Sequence, residues 1–479
     1  MPDTEALLAR AVGYPLPPAI VDPHLEARVR AAVDTANQTV VALDDDPTGV
    51  QTVHDVPVLA DWSHASLSQE IARREPLFFV LTNSRSLAEA DAIALNQEMG
   101  KRLRQAALNE NRGLAIVSRS DSTLRGHFPA ETDALTEALG GVDGVLICPA
   151  FIEGGRLTVD DTHFLLENGR AIPVAETEFA RDATFGYSAR TLPEWVAEKT
   201  GGRVQPPEVA SVSLEDVRIG GAERVADLLM RIHGGQPVIL NAVDYPDLWT
   251  TALGILQSEA AGKRFLYRTG ASFVRARAGI TGRPLLTRAD LLPAPLPTQA
   301  RGLVVVGSHV QRTSEQLTRL LSHPRTVALE VHVPDLLATE ERRVTELARV
   351  SMSVHDALMK YETPVVFTSR KIERPAALSE LDVARRVSSA LVHLVQGLRV
   401  RPDFIIGKGG ITSSDIGTNG LGARRAVVLG QVSPGVPVWR LGEESAFPGL
   451  AYIVFPGNVG TPETLLEIVS NLLEAKPER

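Results

Sequence analysis

The sequence predicts an α/β protein: two α/β domains with mostly parallel sheets and an interdomain cleft. Three observations lead there. Short β-branched apolar runs alternate with amphipathic stretches in both halves of the chain. A Pro-rich stretch, "LLPAPLPTQARG" from Leu291 to Gly302, separates the halves. The loops that close the apolar runs are crowded with Asp, Arg, hydroxyls or Gly, and ligands of open parallel sheets bind beyond the carboxyl ends of the strands. At 479 residues the chain also exceeds one ordinary core.

Taken in order, the first block predicts strands at 39–43, 56–60, 77–83, 114–120 and 144–151. Between the third and fourth lies a helix whose apolar face is read as Leu87, Ala90, Ile93 and Ala94, with a stop at Asn111 to Gly113. From 152 to 290 the pattern loosens into a polar, turn-rich stretch read as an irregular insert or interface region of a domain spanning 1–290. The segment 291–302 reads as a linker. The second domain, 303–479, predicts strands at 303–308, 326–331, 364–369, 403–410, 425–430 and 450–457, with an amphipathic helix over "SELDVARRVSSALVHLVQGL".

Composition narrows the function. The apolar fraction of 44% and charged fraction of 22% suit a globular protein, and the net charge of −9 without a basic run argues against nucleic acid and anionic membranes. One cysteine, Cys148, excludes a disulfide scaffold and Cys-rich zinc sites. No secretory signal or membrane-length apolar run is visible, so a cytoplasmic location is expected. No G-x-x-x-x-G-K-[ST] and no G-x-G-x-x-G after a strand is present, and the 11 histidines are scattered. His54, His127 and His163 read as caps or satisfied polar residues, and Cys148 as a core residue.

The strand-end loops carry the chemistry. "DDDPTG" places Asp44, Asp45 and Asp46 behind the first strand, ahead of Pro47, Thr48 and Gly49. Carboxylates there suit a polyol, Mg²⁺, or deprotonation of an attacking hydroxyl, and a single Asp cap before Pro47 would need only one of the three. "SRSDSTLRGH" gathers Arg119, Asp121, Ser122, Thr123 and Arg125, in which guanidinium groups match a carboxylate bidentately. In the second half, "VVVGSHVQRTSEQL", "GKGGITSSDIGTNGLG" and "FPGNVGTPETL" each run from a strand through glycines toward a helix. Three such turns in one domain point to phosphate and hence to nucleotide binding.

The order of these motifs resembles the four-carbon acid sugar kinase family, ATP-dependent kinases of threonate, erythronate and oxo-tetronate. The resemblance covers nearly the whole chain. It rests on "DDPTG", "DSTLRG", "GGRLTVDDTHFL", "PVAETEFARD", "VGSHVQRTSEQ", "GKGGITSSDI", "VSPGVPVW" and "PGNVG". It implies an N-terminal acid-sugar domain and a C-terminal ATP domain. Catalytic contacts fall on Asp45, Asp46 and Asp121, and substrate contacts on Arg85, Ser122 and Arg125. Nucleotide contacts fall on Ser308, Gly409, Gly410, Ile411, Thr412 and Gly457. ATP and Mg²⁺ are the implied cofactors, with no metal ligand named. The partners are the acid sugar and ATP, neither nucleic acid nor membrane, and a homodimer is left open. The chain departs from the family pattern at Ile411, where many members carry an acid, at Phe455, where they carry lysine, and at Arg119, where lysine is common. Two other readings stand beside the kinase: a lyase or oxidoreductase of sugar acids, and a non-catalytic binder of sugar acid and nucleotide.

Overall fold

The computed structural model describes residues 4–370 and 380–474, which form two compact units. One runs to Val53 and resumes over Asp61–Gly282; the other comprises His54–Ala60 and continues from Arg283.

The first unit is built on seven parallel strands in the spatial order Leu77–Leu81, Gln38–Asp44, Gly113–Arg119, Phe265–Thr269, Gly144–Cys148, Gln236–Leu240 and Ala210–Val212. Strands covered on both faces read as continuous apolar runs, and Val40 to Leu43 and Leu77 to Leu81 are buried throughout. Register brings the functional ends level: Asp44 pairs with Leu81 on one side and Arg119 on the other, and Arg119 pairs with Thr269. Four strand ends therefore open onto one edge of the sheet.

Three sequence expectations need correction here. The stretch 152–290 is not irregular throughout. After a three-stranded antiparallel sheet (Arg156–Val159, Thr162–Glu167, Arg170–Pro173) it supplies three strands of the main sheet and the helix Tyr245–Ala260. "QPVIL" and "FLYRT" were hard to see because Pro237 and a buried Arg268 interrupt their apolar character. The helix Glu89–Asn109 buries Ala92, Asn96, Met99, Leu103 and Ala106, not the face through Leu87, Ala90, Ile93 and Ala94. Asn96 hides that stripe: its amide donates to Ala92 O at 2.9 Å, so a polar residue occupies a core position. The 291–302 stretch is anchored in the second unit at its ends, where Leu291, Leu292 and Ala300 join the core, while 293–299 between them is largely exposed.

The second unit has five parallel strands in the order Thr326–Val331, Thr363–Thr368, Gly302–Val306, Phe404–Lys408 and Ala451–Phe455. Three antiparallel strands extend it: Val436–Leu441, Arg425–Ser433 and Val56–Leu59. The 56–60 run thus leaves the block in which the sequence places it and pairs with Arg425–Val428. Register sets Val306 beside Lys408 and Lys408 beside Phe455, so the three glycine turns that follow these strands are neighbours. The helix expected near Thr313 spans Gln311–Leu320. The helix read over 379–398 is described as Glu380–Gln396, and Ser379 and 475–479 lie outside the described residues.

Packing of the 291–302 stretch is testable. Leu291 is 2% exposed, so Leu291→Ala should cost about 2–5 kcal/mol in chemical denaturation. A change under about 0.5 kcal/mol would restore the linker reading.

Candidate functional site

In the first unit the strand-end loops gather buried carboxylates and guanidinium groups. Arg119 donates from Nη1 to Asp44 Oδ1 at 2.9 Å and to Asp45 Oδ1 at 3.4 Å. Arg85 sits on the short 3₁₀ turn Ser84–Ser86, which follows Asn83 in the left-handed region (φ 51°). It pairs with Asp46, lies 4.0 Å from Asp45 Oδ2 and 3.5 Å from Asp121 Oδ1. Arg125 Nε donates to Asp121 Oδ2 at 2.8 Å, and its Nη1 lies 3.8 Å from Asp182. Asp45, Asp46, Asp121, Arg85 and Arg125 are therefore brought together as the sequence anticipates. Ser122 joins them through its backbone: its carbonyl accepts from His163 Nε2 at 2.8 Å.

The three consecutive aspartates have separate environments. Asp46 accepts from Thr48 N at 2.9 Å and Thr48 Oγ1 at 2.6 Å, an Asx turn, and no helix follows. Burial raises its pKa, but Arg85 and the two Thr48 bonds outweigh it and leave the carboxyl below its ordinary range. Asp44 is pushed up to about 7 by burial, against the pull of Arg119. Asp45 is pushed up to about 6, again by burial, with Arg85 and Arg119 opposing. Its Oδ2 is buried and has no hydrogen-bond partner. Asp121 is held low: Arg85 and Arg125 outweigh its burial. His163, lowered to about 4 mainly by burial, is neutral and structural, with Thr158 on its other nitrogen. Cys148 is buried, its thiol pushed up to about 12 by desolvation.

Gly49 is required by close approach. A Cβ there would stand 2.1 Å from Asp44 Oδ1.

Sequence reading missed two members of this cluster. Arg268 is buried, with Nη1 3.4 Å from Glu131 Oε2 and from Ser118 Oγ, and its guanidinium borders Gly126 close to Asp45. Its signal was an Arg inside "FLYRT". Asp182, at the end of "PVAETEFARD", was quoted as part of a motif without a role.

In the second unit, Gly307–Ser308, Gly409–Thr412 and Gly457 adjoin. Gly409 has φ 117°, and a Cβ on it would lie 2.9 Å from Ser308 Cβ; a Cβ on Gly307 would lie 2.2 Å from Thr412 Oγ1. Thr313 Oγ1 donates to Gly457 O at 3.1 Å and Gly409 N to Phe455 O at 2.8 Å, locking the turns together. Beside them is an apolar cavity of about 250 Å³ lined by Gly307, Val333, Ala384, Val387, Leu391 and Ile411. Ile411 is 65% exposed, so an apolar residue at that position belongs to the cavity wall. Two cations escaped the sequence reading. Arg370 donates to Ser308 O at 2.7 Å. Lys408, fully buried, donates to Pro456 O at 2.5 Å and Gly457 O at 3.2 Å. Its Nζ lies 3.9 Å from the centre of the Phe455 ring, and burial, then Arg312, lowers it to about 7. The ammonium missing at Phe455 is thus matched by one on the neighbouring strand at the same register.

The only group of three metal-ligating side chains gathered among the described residues is His332, Asp335 and Glu346. Arg349 bonds Glu346 at 2.6 Å and Arg342 lies 3.7 Å from Asp335, which accounts for it as an ion-pair network. No helix among the described residues is long and apolar enough to cross a membrane.

Residues 40–277 match a family described as the sugar-binding N-terminal domain, and residues 303–465 one described as the nucleotide-binding C-terminal domain. A D-threonate kinase of Bordetella bronchiseptica is 26% identical over 86% of this chain and 90% of its own length. A D-erythronate kinase of Heliobacterium modesticaldum is 27% identical over 73% of this chain and 75% of its own. A 3-oxo-tetronate kinase of Brucella melitensis is 24% identical over 73% and 76%. Two solved structures share the fold over 91% of this chain and all of theirs. A protein of Haemophilus influenzae has TM-score 0.62 and 19% identity, and a putative tRNA synthase of Salmonella typhimurium has TM-score 0.65 and 17% identity.

Replacing Gly49 with Ala should force Asp44 off Arg119 and abolish acid-sugar-dependent turnover. ATP should still raise the melting temperature of the variant. Retained turnover would show that the packing of Gly49 against Asp44 is dispensable. Both family matches and all three curated relatives agree on one assignment: this chain belongs to the four-carbon acid sugar kinase family.

Proposed function

We propose that the chain transfers the terminal phosphoryl group of ATP to a hydroxyl of a four-carbon acid sugar of the threonate, erythronate or oxo-tetronate type, with Asp45 as the general base. The observation that carries this reading is the Asp45 carboxyl. It combines a buried oxygen that makes no hydrogen bond and a pKa of about 6 with flanking guanidinium groups. A base tuned near the working pH takes a hydroxyl proton far better than Asp46, whose lone pairs are already engaged.

In the step, the acceptor oxygen bonds to the γ-phosphorus as the bond to the β–γ bridging oxygen breaks; ADP leaves and the hydroxyl proton goes to Asp45. Such a transition state needs positioning and charge stabilisation more than covalent chemistry from the protein. Arg85, Arg125 and Arg268 suit the sugar's carboxylate. Arg85 and Arg125 are paired with aspartates here, so substrate binding exchanges some of those pairs for the ligand's carboxylate. In the second unit the apolar cavity fits a nucleobase, and the glycine turns with Arg370 and Lys408 fit its phosphates.

Mg²⁺ is expected on the nucleotide's own phosphate oxygens, as this ion keeps phosphate and water ligands. Asp44, Asp46 and Asp121 are paired with arginines or hydroxyls and Asp45 lies between Arg119 and Arg85, so no protein ligand for it is assigned. No observation favours the lyase or oxidoreductase reading. Binding of both ligands without ADP release would favour the non-catalytic one.

The test is ADP release with ATP and Mg²⁺ across tetronates and 2-oxo- and 3-oxo-tetronates. One strong acceptor should emerge, and silence across the panel would overturn the reading. With that acceptor, Asp45→Asn should lower kcat by about 10²-fold or more. Asp46→Asn should act mainly on acceptor KM. Because the base must be ionised, kcat/KM should fall about tenfold per pH unit below about 6. The stability sign runs the other way. A carboxyl raised on folding stabilises the fold fully below its ordinary 3.8 and loses that contribution as pH rises through about 6. Asp45→Asn should therefore melt no lower than the parent at pH 8.

A further inference from the structure

At the opposite end of the first unit's strands lies a cavity of about 430 Å³ that the acid-sugar chemistry does not use. Its floor is the beginnings of the strands that end in Asp44, Arg119 and Thr269, and its wall is the last turns of the helix Glu89–Asn109. Leu108, Ile116, Leu139 and Phe265 make it apolar, and Leu108 is 69% exposed there. Arg104, Arg112, Lys263 and Arg264 also line it, against one acid, Glu259. That is an excess of cations in a chain of net charge −9.

The acids nearby are committed. Glu259 is held by Arg277 at 2.5 Å and by the Tyr267 hydroxyl. Asp143 takes Lys263 Nζ at 3.3 Å and Arg264 N at 2.8 Å. Arg104 lies over Gly140 and has no ion-pair partner among the described residues. Arg112 donates to neutral oxygens: Asn37 Oδ1 at 2.8 Å, Gln38 O at 2.6 Å and Thr39 Oγ1 at 3.1 Å. Two guanidinium groups without carboxylates above an apolar floor form a site for a ligand with both characters.

We propose that this cavity is a second ligand site of the chain, taking a small organic anion with an aromatic or aliphatic body. The body lies against Leu108, Leu139 and Phe265, and the anionic group meets Arg104 and Arg112. All of its lining residues belong to the first unit, and none lies on the loops that carry Asp45, Arg85 and Asp121.

The probe is 8-anilinonaphthalene-1-sulfonate, titrated by fluorescence into the full chain with and without ADP. N-phenyl-1-naphthylamine, the same body without the sulfonate, is the comparison. Saturable one-site binding is expected, at least about tenfold tighter for the sulfonate. Arg104→Glu should weaken the sulfonate by a similar factor and leave the amine unchanged, and Leu108→Gln should weaken both. Both replaced residues are solvent-exposed and outside the catalytic machinery, so ADP-forming activity should be unaffected. Absence of saturable binding, displacement of the probe by ADP, or equal affinity in parent and Arg104→Glu would each overturn the proposal.

Discussion

The first unit depends on one constraint: carboxylates held out of water at the ends of parallel strands must be balanced by guanidinium groups from neighbouring strands. Asp44 and Arg119 end adjacent strands at one register level, and Arg268 stands one residue before the end of the next strand. Burying a charge is costly unless it is paired. The sheet register is what supplies the partner, and Arg85 reaches the same place from the turn after a fourth strand. The pairing is unequal. Asp46 and Asp121 are satisfied and held low, whereas Asp45 retains an orphan oxygen and a pKa near neutrality.

The second unit gathers backbone where the first gathers charge. Its three glycine turns lie close together, and Arg370 and Lys408 donate to their carbonyl oxygens. Gly307, Gly409 and Gly457 each border Ser308 or Thr412 too tightly for an easy side chain. Lys408, buried among carbonyl oxygens, holds the 455–457 turn in place. The departures at Ile411 and Phe455 fall beside these turns. Ile411 widens an apolar wall, and Phe455 packs beneath the ammonium of Lys408.

Most of the sheet was legible in sequence, as was the crowding of charge at its strand ends, for a physical reason. Strands buried on both faces print themselves as unbroken apolar runs, and strand-end loops print themselves as clusters of charge or glycine. Part of what was lost lies where an atypical residue breaks the run. Arg268 broke the strand Phe265–Thr269, Asn96 masked the helix stripe, and Pro237 disguised the strand Gln236–Leu240. The prolines of 291–302 suggested a free linker, yet Leu291 and Leu292 at its start join a core. Which aspartate keeps a free lone pair could not be read from "DDD", since it depends on Thr48 and on the reach of Arg85.

The central claim, that the fold holds Asp45 as a neutral-pH base, is tested most directly by the titration of that one carboxyl. Carbon-13 spectra of aspartate-labelled protein, recorded from pH 4 to 9 and assigned by the resonance absent in Asp45→Asn, would give its midpoint. The account predicts a midpoint of about 6 in the protein without substrate. A midpoint at or below the ordinary value of 3.8 would mean that the arginines outweigh burial, and Asp45 would then be an anchor and not the base.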